Sequence, residues 1–142
     1  MVRPRSRPAE AASPPGTDDG LDVNAVVSYN VKAIRERRGM TQQAVADRLA
    51  ELGISIMTCA PPHTTVPPVA WLRSRGVNVC SGSDGIRDAW SPMGNGDMLE
   101  RAYQLAWQSD HDHDADIETC LRLATYGGAQ AMGATDYGLD PG

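Results

Sequence analysis

At 142 residues, 41% of them hydrophobic, with 14 glycines, 10 prolines and no phenylalanine, the chain is long enough for one modest domain with tails. It contains no apolar run near the ~20 residues of a membrane span, and the arginines Arg3, Arg5 and Arg7 precede no apolar stretch, so this stretch is not expected to be a signal peptide. The net charge of −5 is unevenly spread, with eight Lys/Arg against seven Asp/Glu in residues 1–52 and five against eleven in residues 53–142, so any contact with nucleic acid belongs to the front of the chain.

Residues 1–20 are rich in Pro, Ala, Ser and Gly without an apolar period and read as a disordered tail. From Leu21 the pattern changes. Val23, Val26, Val27, Val31 and Ile34 recur at three- and four-residue steps, an amphipathic helix ending near Arg38-Gly39, where glycine suits the left-handed C-terminal position. Thr41 can cap a second helix with Ala44, Val45, Leu49 and Leu52 inward, although Ala44 stands where a capping box needs Glu or Gln. Residues 21–52 thus form a short helical segment, and residues 53–142 a second region.

In that second region Ile54 to Thr58 is a β-branched run bounded by Gly53 and by Pro61-Pro62, and reads as a strand. Pro67-Pro68 open a helix through Val69, Trp71 and Leu72 that Gly76 ends, and Val77 to Cys80 is the next strand. Strand, helix and strand in this order predict a right-handed βαβ unit with parallel strands. Further on, Met98, Leu99, Ala102, Leu105 and Ala106 form an inward helical stripe. A last helix places Ile117, Cys120, Leu121 and Ala124 inward, with Gly127-Gly128 allowing close packing, before the Asp140-Pro141-Gly142 turn. Cys59, Cys80 and Cys120, an odd count without CxxC spacing, read as small buried residues in a reducing cytoplasm rather than ligands or a disulfide framework.

The chemistry concentrates between Gly76 and Asn95. The apolar run of the second strand breaks into a small-residue loop that presents Asp84, then Asp88 and Trp90, and the carboxyl end of a buried strand is where barrel enzymes keep their reactive groups. A carboxylate there is a suitable hard ligand for Zn²⁺ or Fe²⁺ and a suitable base beside an activated water. A lone aspartate in a loop is nevertheless more often a cap than a ligand. The histidines are His63, His111 and His113. His111-Asp112-His113 follows the polar end of a helix and reads as a solvated acidic joint. His63, in the Pro-bounded loop after the first strand, could face the same end as Asp84, but two ligands fall short of the three protein ligands of a catalytic zinc site.

Two resemblances follow from these motifs. The run Asn30-Val31-Lys32-Ala33-Ile34-Arg35, continuing through Arg38-Gly39-Met40-Thr41-Gln42-Gln43 to Ala46 and Leu49, resembles the first two helices of the phage-repressor type of helix-turn-helix. That resemblance implies DNA contact through Arg35, Arg38, Thr41 and Gln42, although Gly53-Ile54-Ser55-Ile56 stands where the base-reading helix should come. The back of the chain carries Gly76-Val77-Asn78-Val79-Cys80, Gly82-Ser83-Asp84-Gly85, Asp88-Ala89-Trp90-Ser91-Pro92, Gly94-Asn95-Gly96-Asp97-Met98, Ala124-Thr125-Tyr126-Gly127-Gly128 and Asp136-Tyr137-Gly138. In this order they resemble the cytosine-deaminase-like branch of the metal-dependent amidohydrolases, over residues ~50–142.

The second resemblance implies an α/β fold, a partial (β/α)₈ barrel made of its last two βα units. It also implies a divalent metal (Zn or Fe) with Asp84 as ligand and proton acceptor, Trp90 with Asp88 at the substrate pocket, and a small cyclic nitrogen-containing substrate hydrolysed at a C–N bond. The acid expected directly after the metal-binding one is here Gly85. With about 90 residues where a barrel takes ~250, the chain is expected to be a catalytically incomplete fragment that does not retain the metal. Its open sheet edges favour self-association. The alternatives are a helix-turn-helix transcriptional regulator acting through residues 21–52, and a non-functional fusion remnant.

Overall fold

The computed structural model describes residues 23–61, 64–89 and 91–138; the tail expected over residues 1–20 lies outside them. In chain order the elements are α1 (Val23–Arg37), α2 (Gln42–Glu51), β1 (Ile56–Thr58), α3 (Val69–Ser74), β2 (Val79–Ser81), α4 (Met98–Gln108), α5 (Asp114–Ala124) and α6 (Tyr126–Met132). They fall into two compact units, Met1–Gln42 and Gln43–Gly142.

In the first unit α1 stops where expected. Gly39 takes the left-handed conformation, and the Arg35 guanidinium donates to the Met40 carbonyl at 2.7 Å, tying off the turn. Val27, Val31 and Ile34, the apolar stripe of the sequence, are exposed.

The second unit contains the predicted βαβ element. β1 and β2 are parallel, with Ile56 opposite Val79, Met57 opposite Cys80 and Thr58 opposite Ser81. Each strand is shorter than its apolar run. Ile54 N–H donates to the Leu49 carbonyl at 2.9 Å and Val77 N–H to the Leu72 carbonyl at 3.1 Å. Both groups finish the preceding helix and so are not free to join the ladder.

One face of the sheet carries the core. Val77 and Val79 pack with Val69 and Leu72 of α3, with Ala102, Leu105 and Ala106 of α4, and with Cys120, Leu123 and Ala124 of α5. Ala46 of α2 joins them, and Ile56 is half-buried against the same cluster. Leu52, expected inward, is exposed one residue past the end of α2, as is Trp71 on α3. Arg75 fastens the end of α3 to α2 by a fork onto Asp47, at 2.6 to 2.8 Å.

α4 begins at Asp97, whose carboxylate accepts from the Leu99 and Glu100 amides at 2.9 and 3.1 Å. Its inward stripe is Ala102, Leu105 and Ala106. Leu99, expected among them, is exposed in the first turn in line with Tyr103 and Trp107. The last predicted helix is two. Thr125 leaves helical geometry while its hydroxyl donates to the Leu121 carbonyl at 2.8 Å, and α6 starts afresh at Tyr126. On α5, Cys120 and Ala124 are inward as expected; Leu123 completes the buried arc, and Ile117 and Leu121, at its margin, are exposed.

Burial raises the Cys80 thiol above its ordinary 9.0. It does the same for Cys120, with the nearby Asp116 charge adding to the effect and Arg73 opposing it. The folded chain therefore holds these protons at a pH where the unfolded chain has released them. Their contribution to stability is complete below about pH 9 and is lost as pH climbs through the raised folded values. Urea unfolding followed from pH 7 to pH 10 is expected to show a midpoint that falls above about pH 9, and a midpoint still rising there would contradict it.

Candidate functional site

The ladder closes where Gly82 N–H donates to the Thr58 carbonyl at 3.1 Å. The chain leaves the sheet there and two residues later reaches Asp84, exposed and in the left-handed region at φ 54°, a conformation aspartate tolerates better than most residues. Asp84 thus stands just beyond the carboxyl end of β2, where the sequence places it.

The loop after Asp84 is held by its own backbone. The Asp88 carboxylate accepts from Ser91 N–H at 2.6 Å, Gly94 N–H donates to the Ser91 carbonyl at 3.0 Å, and Arg87 N–H donates to the Gly94 carbonyl at 3.1 Å. Gly94 lies so close to the Gly85 carbonyl that a side chain there would run into backbone. A side chain at Gly85 would meet the Asp88 carboxylate. The acid missing at position 85 thus has a local counterpart: Asp88 fills the space it would need. Asp88, expected at a substrate pocket, turns its carboxylate back onto its own loop. Trp90, the other pocket candidate, lies outside the described residues, as does His63.

Asp84 and Gly85 line a cleft of about 350 Å³ with Cys59, Asn95, Arg101 and Gln104 among its walls. The α4 wall is a polar network. Glu100 accepts from Asn95 at 2.6 Å, from Gln104 at 2.9 Å and from Arg101 at 3.2 Å. Arg101 also reaches the Cys59 carbonyl at 3.4 Å, and the Gln108 amide donates to the Ala60 carbonyl. α4 therefore laces the exit of β1 to the far end of the Asp84 loop. Sequence reasoning missed this network. Its trace, Glu100-Arg101 with Gln104 and Gln108 at helical steps, is the same as that of a solvated helix face.

Neither of the described histidines, His111 and His113, is among the residues lining this cleft. His111 lines a different one, of about 520 Å³, beside Pro67, Trp71 and Gln108. His113 is exposed at the start of α5, 3.5 Å from Asp112, and Asp114 and Asp116 follow in the first turn, where negative charge is favoured. Among the described residues no three His, Cys, Asp or Glu side chains gather where they could hold a metal. With three protein ligands as the norm for catalytic zinc, the described residues do not fit a metal centre: Asp84 is one carboxylate where three ligands are needed.

The DNA-contact candidates stand on α1 and at the front of α2. Arg35 is engaged by Met40 and Glu36, while Arg38, Thr41 and Gln42 are exposed. No helix lies between α2 and β1. No helix among the described residues is long and apolar enough to cross a membrane.

Comparison with known proteins gives four findings. A family model described as the amidohydrolase family matches residues 20–142, a span that takes in α1 and α2 as well as the Asp84 region. The chain is 37% identical over 81 residues to the uncharacterized protein YahJ of Escherichia coli K12, covering 57% of this chain and 18% of that one. It is 32% identical over 91 residues to N-isopropylammelide isopropyl amidohydrolase of Pseudomonas sp. strain ADP, covering 63% and 23%. Among solved structures, N-isopropylammelide isopropylaminohydrolase from Burkholderia multivorans matches with a TM-score of 0.66 and 43% identity, over 70% of this chain and 26% of that one. The chain thus spans about a fifth to a quarter of the length of these relatives.

Proposed function

The chain belongs to the amidohydrolase family, and from that membership we propose that it is one segment of a hydrolase acting on a C–N bond of a small nitrogen-containing ring. Asp84 is its reactive carboxylate. The observation that carries this reading is the position of Asp84, past the carboxyl end of a parallel strand and on the wall of a cleft. Two relatives are named for N-isopropylammelide, and a ring of that kind or a cytosine-like ring is the substrate class proposed here.

At that position a carboxylate accepts the proton of an attacking water. The loop that Gly94 and Asp88 pin holds it at the cleft, and the Glu100–Arg101 network keeps the β1 exit alongside. A divalent metal, were one held there with Asp84 among its ligands, would supply Lewis-acid activation of that water; the remaining donors for one are not among the described residues, so the isolated chain is proposed to be catalytically incomplete.

Two measurements test this. Metal analysis of the purified chain, with assays on N-isopropylammelide and cytosine, is expected to give substoichiometric metal and background turnover; stoichiometric zinc or iron with turnover would refute the incompleteness. In a chimera, this chain replaces the matched quarter of the Burkholderia multivorans relative. Asp84→Asn is then expected to lower kcat by about 10²–10⁴-fold at unchanged thermal stability, and a fully active variant would remove Asp84 from the chemistry.

A further inference from the structure

α4 walls the Asp84 cleft with a network left unfinished. Arg101 and Gln104, three residues apart on one helix face, both donate to Glu100 Oε1, at 3.2 and 2.9 Å. Asn95 donates to the other Glu100 oxygen at 2.6 Å. Two atoms of these side chains receive nothing. Arg101 Nε and Gln104 Oε1 are shielded from solvent and have no hydrogen-bond partner. Exchanging the ends of the Gln104 amide is no remedy, because it would set oxygen against the Glu100 carboxylate.

Among the described residues four buried side-chain atoms are in this state, the others being Ser81 Oγ and Ser109 Oγ. Two of the four therefore belong to side chains that line one cleft, the one holding Asp84, and neither serine lines it. A buried acceptor without a donor is costly, and folded chains keep few of them. Here the cost is removable. Glu100 keeps Asn95 and Arg101 when Gln104 lets go. The amide can therefore turn into the cleft at the expense of one bond and offer both of its ends there.

We propose that Gln104 is the specificity residue of this cleft, and that it reads the edge of a ring on which an N–H stands beside a carbonyl. Its Oε1 accepts from the ring N–H while its Nε2 donates to the ring carbonyl, two bonds in place of the one given up. Arg101 stays on Glu100 and on the Cys59 carbonyl, so the β1 exit is held while Gln104 moves. Given Asp84 as the reactive carboxylate, on which this role rests, the substrate is narrowed to lactam-type rings. A ring with every nitrogen alkylated leaves Oε1 unpaired against it and is rejected for that reason.

The test uses the chimera in which this chain replaces the matched quarter of the Burkholderia multivorans relative. Titration calorimetry compares uracil, which has an N–H beside a carbonyl, with 1,3-dimethyluracil, which keeps the carbonyls and lacks the N–H. Uracil is expected to bind at least about tenfold more tightly, a comparison that needs no variant. Gln104→Met is expected to cut that preference about tenfold and to raise KM for N-isopropylammelide about tenfold at unchanged kcat. Its urea midpoint is expected to stay where it was, because Glu100 keeps its other partners. Asp84→Asn is expected to lose turnover and keep the preference for uracil. Uracil held through Gln104 in a chimera without turnover would keep the recognition and overturn the catalytic reading. A preference and a KM unmoved by Gln104→Met would overturn the recognition and leave the role of Asp84 standing. So would equal binding of the two rings by the unaltered chimera. A lower urea midpoint with the preference unmoved would make Gln104 a strut of α4 and overturn it too.

Discussion

Gly127→Val is expected to destabilise the unit formed by residues 43–142 by about 3 kcal/mol or more, seen as a large fall in the urea midpoint followed by far-UV circular dichroism. A Cβ at this position would lie 2.7 Å from the Val79 carbonyl oxygen and 3.2 Å from the Cα and Cβ of Cys80. Two of these three atoms belong to strand backbone and the third is the root of a buried side chain, so none can withdraw as the tip of a long side chain would. The helix would have to move instead. That would break the bond from the Asn78 amide to the Gly127 carbonyl, 3.1 Å, and expose Ala129, which is buried on α6. Against a total stability of about 5–15 kcal/mol for a unit of this size, such a loss removes a large share. Gly128 supplies the control. It sits one residue on in the same helix with open space around it, so Gly128→Ala is expected to be neutral or to stabilise by up to about 1 kcal/mol through helix propensity. Equal effects at the two positions would refute the close-approach account.

The contrast between these two glycines also marks how far the sequence was legible. Gly127-Gly128 announced close packing, and close packing is there, but which glycine faces β2 depends on where α6 begins. That start is set by Thr125 bonding back to Leu121, a side-chain event that no apolar period records. The order of elements and the parallel βαβ unit followed from periodicity because burial acts on every third or fourth residue of a helix. Strand limits did not follow, since Ile54 and Val77 have strand character yet use their amides to finish helices. Leu99, Ile117 and Leu121 fit the helical period but stand at the margins of buried arcs whose width depends on the neighbouring element.

The site divides in the same way. The position of Asp84 just past β2 was readable because the strand runs out into the small residues Ser81 to Ser83 and the chain leaves the sheet there. The fit of Asp88 against Gly85 depends on the turn their loop takes, and the Glu100–Arg101 network reaches Cys59, distant in sequence; each local signature is ordinary. Of the resemblances, the amidohydrolase one has its family behind it, and the family match takes in the two helices that resemble a helix-turn-helix.

Leu105→Ala tests whether the core beneath the site also controls the site's shape. Leu105 is 0% exposed, and its cluster is made largely of small side chains: Ala102, Ala106, Ala124, Cys120 and Val79. Small neighbours have few rotamers with which to fill a void, so the cavity is expected to persist and the cost to lie in the upper half of the 2–5 kcal/mol range, about 4 kcal/mol. Leu105→Met, which conserves volume, is expected to cost less than about 1.5 kcal/mol. The consequence extends beyond stability because α4 carries Arg101 and Gln108, the side chains that hold the Cys59 and Ala60 carbonyls at the exit of β1. A helix seated on a cavity has room to shift, and its grip on that exit loosens with it. Hydrogen exchange in the Leu105→Ala variant is therefore expected to rise at Gly82, whose amide closes the ladder onto Thr58, more than at Gly39 in the other unit. A uniform rise across both units would show that Leu105 supports global stability alone and that the cleft keeps its shape without it.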